Sequence, residues 1–593
     1  MSRIYEMIEI CYEGPAPAGS EALAAPEAVF EKIKMNGGCA ADGADNAGVK
    51  GAEQAIHVKG FYAGNGLYKV RFLPEEAGTW QYMITGDGTA APLTGTVEVK
   101  TLVDGADSEA GAAQEAGAKQ GPQGSALHGP VRACGTHLRH ADGTWFYSFG
   151  TTIYALAHQS QALMDETFDT LSHSPFNKVR LCVFPKHYNY NHNNPQYYAF
   201  ERSAAGEGLT FDAEEGAQVA GMSDAKDTSV NNWDVNRPCY AFWDAFEDKL
   251  LRLMDLGIEA DLILFHPYDR WGFANMPQQD NLIYLDYLLR RFSAFPNIWW
   301  SLANEYDLCM AKSRQDWEKI EQFVAEHDPY HHMLSNHNCF KPWDWSRQNV
   351  THVSWQTREL YRVAALQQQI GKPVLIDECR YEGNVPESWG NISGQSMTQR
   401  FWQVTTAGGY CTHGETFYPG TPEAELNTQT GEREVVWWAR GGRLHGESPA
   451  RIAFLKSIVD SLPGPIEPAA GGLQAILLLN PEAQQKVLEQ TPEGFRDFLK
   501  ALLAMSPEEQ ERFLAFNTVY EGKVGDGDAF LIYKDTECSS LAELDLPEDK
   551  TYRIEVIDTW EMTRETVQTG ASGKVQVRLP GKEYMAVLAI KTS

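Results

Sequence analysis

Between residues 146 and 417 the sequence repeats one pattern: a short apolar segment, then turn residues, then an amphipathic stretch. An apolar run bounded by turn residues is typical of a buried strand in a parallel sheet. Alternation of such strands with helices, eight times in roughly 300 residues, predicts a (β/α)8 barrel. The eight predicted strand segments are 146–156, 177–186, 258–269, 297–307, 332–338, 350–357, 372–383 and 408–417.

The remaining sequence predicts further domains, because 593 residues exceed what one hydrophobic core organises. Residues 1–102 alternate apolar and polar side chains between Gly, Asn and Asp turns, which predicts a β-sandwich. Residues 103–127 are rich in Ala, Gly and Glu and predict a flexible linker. We assign residues 128–462 to the barrel, 463–516 to a linker and helical segment, and 517–593 to a second β-sandwich. The predicted fold class is therefore α/β, a TIM barrel flanked by two β-sandwich domains.

Charge and cysteine usage exclude several classes of partner. The formal net charge of −30 disfavours nucleic acid and anionic membranes, since both require cationic contacts. Neither a secretory signal nor an apolar run of about 20 residues is visible. The 10 cysteines are scattered without a CxxC pair, which favours free thiols in a reducing cytoplasm. We expect a cytoplasmic protein, and a homo-oligomer stays open.

Two predicted strands end in carboxylates. The fourth strand runs into Asn304 and Glu305, and the seventh runs into Asp377 and Glu378. The carboxyl ends of barrel strands form the active face, and strands four and seven lie on opposite sides of the ring. Two carboxyl groups that flank one bond are the requirement for glycoside hydrolysis, retaining at a separation of about 5–5.5 Å and inverting at about 6.5–9.5 Å. The alternative role for Glu305 is a salt bridge or a helix cap.

Other polar and aromatic residues fall at the same predicted edge of the barrel. Because side chains alternate along a strand, only one of Asp377 and Glu378 is expected to face the pocket. Glu415 is a competing carboxylate that suits binding of substrate hydroxyls. The further candidates for substrate binding are Arg180, His266, Asp269, Asn336, His337, Trp355, Gln356, His413 and Trp438, with Lys186 and His187 after the second strand.

A metal centre is the other chemistry that this edge of the barrel suggests. Three separated histidines, His266, His337 and His413, follow predicted strands, and a zinc hydrolase needs three such ligands. The HExxH and HxH spacings are missing, however, and the neighbouring amides suit hydroxyl groups better. We therefore predict no metal and no cofactor.

Four stretches carry a resemblance to a known family. FYAGNGLYKVRFLPEEAGTW, HGPVRACGTHLRHADGTWFYSFGTTIYA, VVWWARGGRLHGESPARIAFL and EVIDTWEMT resemble a bacterial glycoside hydrolase family with an apiosidase-like barrel, in the clan of retaining (β/α)8 glycosidases. The resemblance implies that Glu305 is the acid/base and that Asn304 binds the sugar 2-hydroxyl. It also selects Glu378 over Asp377 as nucleophile, and it implies that Arg180 holds this nucleophile ionised.

The expected function is exo-acting, retaining hydrolysis of O-glycosidic bonds in plant-type oligosaccharides. Glu378 attacks the anomeric carbon, and Glu305 starts protonated because the leaving oxygen needs a proton. Two alternatives stay open at this point: an inverting glycosidase, and a carbohydrate-binding protein on a barrel without activity.

Overall fold

The computed structural model describes residues 2–33, 55–101, 124–188, 190–191, 193–204, 232–417, 436–469, 476–477 and 479–592. Most of the predicted linker 103–127 lies outside these residues. Its last residues are described, and they begin the short helix Ser125–His128.

Eight parallel strands form a nearly closed barrel, as predicted. Barrel strands 1 to 8 are Phe149–Thr152, Lys178–Cys182, Glu259–Phe265, Ile298–Ala303, Leu334–Ser335, Val353–Gln356, Val374–Glu378 and Tyr410–His413. Their order around the sheet is 5-4-3-2-1-8-7-6. Strand 5 and the residues that lead into strand 6 are joined by hydrogen bonds that include Thr351 N to Leu334 O (2.9 Å) and Ser335 Oγ to His352 O (2.7 Å).

Three of the helices that surround the barrel begin at a serine cap. Ser313 accepts from the N–H of Asp316, whose carboxylate accepts from the N–H of Ser313 in return, and Ser160 and Ser393 cap two further helices. Their apolar faces pack on the strands, which buries the barrel wall on both sides. These helices are Gln161–Ser172, Tyr240–Asp255, Gln278–Phe292, Arg314–His327, Val363–Ile370, Gly394–Thr406 and Ser448–Asp460, with 3-10 turns at Leu156–His158, Tyr306–Leu308, Leu360–Arg362 and Trp438–Arg440.

A charge network fills the interior of the barrel below the active face. The Lys178 ammonium lies 2.7 Å from the carboxylate of Asp377 and 3.1 Å from that of Asp261. Arg180 Nε lies 3.2 Å from the same Asp261 carboxylate. All four side chains are buried, so the two cations and the two anions must compensate one another.

The N-terminal domain consists of a five-stranded and a three-stranded sheet that dock on the helix Gln278–Phe292. Arg290 of this helix donates to the carbonyl oxygens of Ala24 (3.0 Å) and Gly60 (2.9 Å), and Arg71 donates to the carbonyl of Arg291 (2.6 Å). The strands are Ser2–Arg3, Ile8–Glu13, Glu27–Lys32, Ile56–Lys59, Phe61–Tyr62, Leu67–Phe72, Gly78–Thr85 and Leu93–Lys100.

Three small sheets lie between or beside the larger elements. They are the hairpin Val131–Cys134 with His137–His140, the ribbon Phe200–Arg202 with Trp233–Pro238, and a third sheet of Glu382–Gly383, Glu415–Phe417 and Val436–Trp437.

The C-terminal domain pairs a six-stranded with a two-stranded sheet, and it begins earlier in the chain than predicted. Ile466–Pro468, inside the predicted linker 463–516, pairs with Tyr520–Val524 as an edge strand. The predicted helical segment contains Pro481–Gln490, Glu493–Leu503 and Pro507–Asn517. The remaining strands are Ala529–Tyr533, Leu541–Leu546, Tyr552–Asp558, Thr563–Ala571, Gly573–Arg578 and Met585–Lys591.

The charge network generates a stability prediction. Lys178→Met removes one buried cation and leaves Asp261 and Asp377 with only Arg180, so the free energy of unfolding of the barrel should fall by about 3–5 kcal/mol. Urea denaturation followed by tryptophan fluorescence measures the loss. Lys32→Met removes a partly exposed ion pair with Glu76 (2.8 Å) and should cost less than about 1 kcal/mol. Equal losses in the two variants would contradict the role of the network.

Candidate active site

A cavity of about 480 Å3 opens at the carboxyl ends of the barrel strands. Each of the eight strands contributes to its wall, either by its last residue or by the loop that follows it. The contributors, in strand order, are Tyr154, Lys186, Tyr268, Glu305, Cys339, Gln356, Glu378 and Trp437.

Glu305 lies two residues beyond barrel strand 4, where the chain turns sharply. Its backbone is in the left-handed region (φ +54°), which is costly for a non-glycine residue and typical of functional sites. The turn leads directly into the 3-10 turn Tyr306–Leu308. The carboxylate accepts a hydrogen bond from the Tyr268 hydroxyl and a long one from Asn304 Nδ2 (3.4 Å). Strain and hydrogen bonds together aim Glu305 into the cavity.

Glu378 ends barrel strand 7 at an irregularity in the sheet. In the pairing of strands 6 and 7, Trp355 is opposite Ile376 and Gln356 is opposite Glu378, so Asp377 is an extra, bulged residue. A bulge re-aims the side chains that follow it. Asp377 is bound by Lys178 inside the barrel, whereas Glu378 lines the cavity. Strict alternation therefore does not decide between the two residues.

The two oxygens of Glu378 have different surroundings. Oε1 accepts from the hydroxyls of Tyr154 (2.8 Å) and Tyr381. Oε2 is buried and has no hydrogen-bond partner among the described residues. This leaves Oε2 as the oxygen available for chemistry.

His337 lies between the two glutamates. Its Nδ1 accepts from the backbone N–H of Glu305 (3.4 Å), which places the ring proton on Nε2, 3.8 Å from Glu378 Oε2. Burial and the charge of Arg180 hold the pKa of His337 well below its usual range, so the ring is neutral. The imidazole thus contacts the backbone of Glu305 and lies near the Glu378 carboxylate without adding charge.

Mutual repulsion governs the protonation of the two carboxyl groups. Burial, and next the charge of Glu305, raise the pKa of Glu378 to about 8. The pair therefore retains one proton at neutral pH. Glu378 accepts hydrogen bonds from two phenols, and such bonds favour its charged form and so oppose this rise.

Lys186 is a buried cation that lines the same cavity as this pair. It is only 4% exposed, and its ammonium lies 4.2 Å from the ring centre of Tyr154 and 4.0 Å from that of Tyr268. These are the tyrosines that donate to Glu378 and Glu305. Lys186 lowers the pKa of Glu378, and it contributes more than Arg180, which pairs with Asp261 deeper in the barrel.

Comparison with known proteins agrees with this geometry. Residues 133–417 match the family model described as "Apiosidase-like, catalytic domain". The barrel is therefore similar to the apiosidase-like catalytic domains. Residues 41–87 and 517–589 match two domains of unknown function, DUF5060 and DUF5605. No curated protein sequence matches the chain.

The whole chain is also similar to solved structures of glycoside hydrolases. A crystal structure from Bacteroides vulgatus ATCC 8482, described as a "putative glycoside hydrolase", shares 29% identity and a TM-score of 0.74, and the match covers 100% of this chain and 99% of that one. A glycoside hydrolase family 5 structure from the same organism has 12% identity and a TM-score of 0.53 over 79% of this chain and 95% of its own, and it shows the fold alone. The apiosidase-like protein is a glycoside hydrolase.

Some of the residues predicted from the sequence lie at the cavity of this glycoside hydrolase. Glu305, Glu378 and Gln356 line it, and Asn304 and His337 contact the two glutamates. Trp437 lines the cavity, whereas its neighbour Trp438 is buried and donates to Thr151 Oγ1 (2.7 Å).

Other predicted residues hold the structure around the cavity. The Asp269 carboxylate accepts from the N–H groups of Trp271 (2.7 Å) and Ala274 (2.6 Å), and so it stabilises a loop. His266 shares a hydrogen bond with the carbonyl of Phe184 (3.1 Å), and Trp355 packs against Trp345. Asn336 is fully buried without a partner for its amide among the described residues.

His413 and Glu415 form a separate buried cluster with Glu382, in which the ligand-type atoms lie within 4.8 Å of one another. Glu415 accepts from the N–H groups of His445 (2.5 Å) and Gly446 (3.0 Å). Glu382 accepts from Ser448 Oγ (2.5 Å). The cluster ties the segment 445–448 to the barrel, away from the cavity.

Tyr154, Tyr268 and Tyr381 are among the site residues that the sequence did not indicate, and they contact the glutamates directly. Each lies two or three residues beyond a strand end or beyond Glu378. Their position after predicted strands was visible, but an aromatic residue there is equally typical of core packing. Only the hydrogen bonds from their hydroxyl groups to the two glutamates distinguish these tyrosines from core residues.

Lys186 generates a prediction for the pH profile. Lys186→Met removes a charge that lowers the pKa of Glu378, so ionisation of the pair should require a higher pH. The acidic limb of kcat/KM should move upward by on the order of one pH unit. Measurement uses whichever nitrophenyl glycoside the enzyme hydrolyses. Lys186→Arg keeps the cation and serves as the control, and an unshifted limb in Lys186→Met would contradict the role.

Proposed function

We propose that the enzyme is an exo-acting, retaining glycosidase that releases a sugar from plant-type oligosaccharides. The observation that carries the proposal is the convergence of Glu305 and Glu378 on one cavity, with His337 in contact with both. A retaining mechanism requires carboxyl groups close enough to act on the same anomeric carbon. After burial, the charge of Glu305 contributes most to the raised pKa of Glu378, which supports such proximity.

The chemistry proceeds in two displacements. Glu378 Oε2 attacks the anomeric carbon while Glu305 gives its proton to the leaving oxygen, and the glycosidic C–O bond breaks. Glu305, now a carboxylate, then takes a proton from water, whose oxygen attacks the anomeric carbon and releases Glu378. The hydroxyls of Tyr154 and Tyr381 hold Oε1, so Oε2 faces the sugar throughout.

The shape of the cavity supports exo action. A volume of about 480 Å3 suits a small ligand better than a long polymer. Phe340 stands at the rim with 81% of its surface exposed. The Asp307 carboxylate accepts from the N–H groups of Cys339, Phe340 and Lys341 (each 2.7 Å), which holds this loop rigid. An exposed aromatic ring on a rigid loop is a suitable platform for a sugar ring.

We also propose that the enzyme works in the cytoplasm on oligosaccharides that have entered the cell. Cysteines of the described residues are all free thiols, which suits a reducing compartment. Within the described part of the chain, no helix has the length and apolar character needed to cross a membrane.

Replacing each glutamate should give a different kinetic signature. Glu378→Ala should lower kcat by about 10⁴-fold or more, because no nucleophile remains. Glu305→Ala should lower kcat less on dinitrophenyl glycosides, whose leaving group needs no proton, than on alkyl glycosides. NMR of the wild-type reaction should show the first-formed sugar with the anomeric configuration of the substrate. An inverted product would contradict the retaining mechanism.

Phe340 should act in binding and not in chemistry. Phe340→Ala should raise KM by about tenfold with little change in kcat, since a lost stacking platform weakens ground-state and transition-state binding alike. Phe340→Trp keeps an aromatic face and is the matched control. Steady-state kinetics on an oligosaccharide substrate measures both variants, and an unchanged KM in Phe340→Ala would exclude the platform.

A further inference from the structure

Two arginines line the cavity that holds the catalytic glutamates. Arg358 lies two residues beyond barrel strand 6, and Arg380 lies two residues beyond the end of barrel strand 7. No carboxylate of the described residues forms an ion pair with either. Two other arginines that are buried or half-buried do have such partners: Arg347 pairs with Glu321 (2.8 Å) and Arg291 pairs with Glu247 (2.9 Å).

The conformation and surroundings of Arg380 are energetically unfavourable. Its backbone lies in the left-handed region (φ +80°), and its guanidinium donates to Asn391 Oδ1. Its Nε is buried and has no hydrogen-bond partner among the described residues. The neighbouring charges that lower its pKa, after burial, are those of Arg358 and Arg400. A half-buried cation beside like charges is unfavourable unless an anion completes the site.

The charges of the cavity show that this anion is not supplied by the catalytic pair. Among the described residues, neither Glu305 nor Glu378 forms an ion pair with Arg358 or Arg380, and the cation that lies beside the tyrosine partners of the two glutamates is Lys186. The positive charges of Arg358 and Arg380 at the rim are therefore not compensated by a carboxylate of the described residues. In a chain with a net charge of −30, two uncompensated guanidinium groups beside the active site are not explained by the general surface charge.

We propose that Arg358 and Arg380 form a subsite for the carboxylate of an acidic sugar, so that the enzyme acts on oligosaccharides containing a uronic acid. The planar guanidinium group matches a carboxylate through two parallel N–H···O bonds. Tyr381 and Trp389 line the same wall, with ring centres 5.5 Å apart, and provide aromatic faces for the ring that carries this carboxylate. The proposal names the substrate class and rests on the proposed glycosidase function.

Binding can be measured without turnover in the full-length Glu378→Gln protein. Isothermal titration compares uronic-acid-containing oligosaccharides with the same oligosaccharides after chemical reduction of their carboxyl groups. The acidic form should bind about tenfold tighter at low salt, and the difference should shrink at high salt. Equal affinity of the two forms, or binding of neither, would overturn the subsite.

Variants in the same background locate the effect. Arg358→Gln and Arg380→Gln should each remove most of the tenfold preference, and Arg358 is exposed, so its replacement leaves the fold intact. Arg362→Gln is the matched control, because Arg362 pairs with Glu359 and Glu511 and does not line the cavity. A preference that survives in both Arg358→Gln and Arg380→Gln would refute the assignment.

Two further arms separate the remaining outcomes. Sulfated oligosaccharides offer the same charge from another source, and tighter binding of these than of the uronic acids would overturn the carboxylate assignment. Hydrolysis by the wild-type enzyme is assayed in parallel. Selective binding without hydrolysis of any glycoside would contradict the proposed function and leave the subsite standing, whereas hydrolysis of neutral glycosides without acidic preference would contradict the subsite alone.

Discussion

Repulsion between two carboxyl groups buried in one cavity is the constraint on which the site depends. Neither Glu305 nor Glu378 is accessible enough for water to screen its charge, so the pair holds one proton at neutral pH. The surrounding residues decide where that proton resides. Two phenols and Lys186 favour the charge on Glu378, and this asymmetry is what a nucleophile and an acid of the same residue type require.

A second set of charged side chains lies deeper in the barrel than Glu305 and Glu378 and does not line their cavity. Asp377 and Asp261 are neutralised by Lys178 and Arg180 inside the barrel. The bulge at Asp377 divides the two adjacent acidic residues of strand 7 between these layers, with one in the interior network and the other in the cavity. Arg180 lowers the pKa of Glu378 from this deeper layer, and Lys186 lowers it more from within the cavity.

Sequence reasoning reached the fold and the glutamates but not their partners. The barrel followed from the alternation of apolar strands with amphipathic helices, a periodic signal that survives without any knowledge of contacts. Glu305 was recognisable because a carboxylate at the end of an apolar strand has few structural reasons to be there. The tyrosine hydroxyls, the bulge at Asp377 and the closed cluster around Glu415 depend on side-chain directions and on sheet register. A local pattern does not carry that information, so Glu415 and Trp438 were placed at the cavity although they lie behind its wall.

Trapping of the glycosyl-enzyme tests the central claim most directly. A 2-deoxy-2-fluoro glycoside with a good leaving group slows both displacements, because the fluorine destabilises an oxocarbenium-like transition state, and the leaving group restores the first step. Mass spectrometry of the digested protein should then find the sugar on the peptide that contains Glu378, with the attachment on that residue. A sugar attached to Glu305 or to Glu415, or rapid hydrolysis with no adduct at any residue, would contradict the assignment of Glu378 as the nucleophile that shares one cavity and one proton with Glu305.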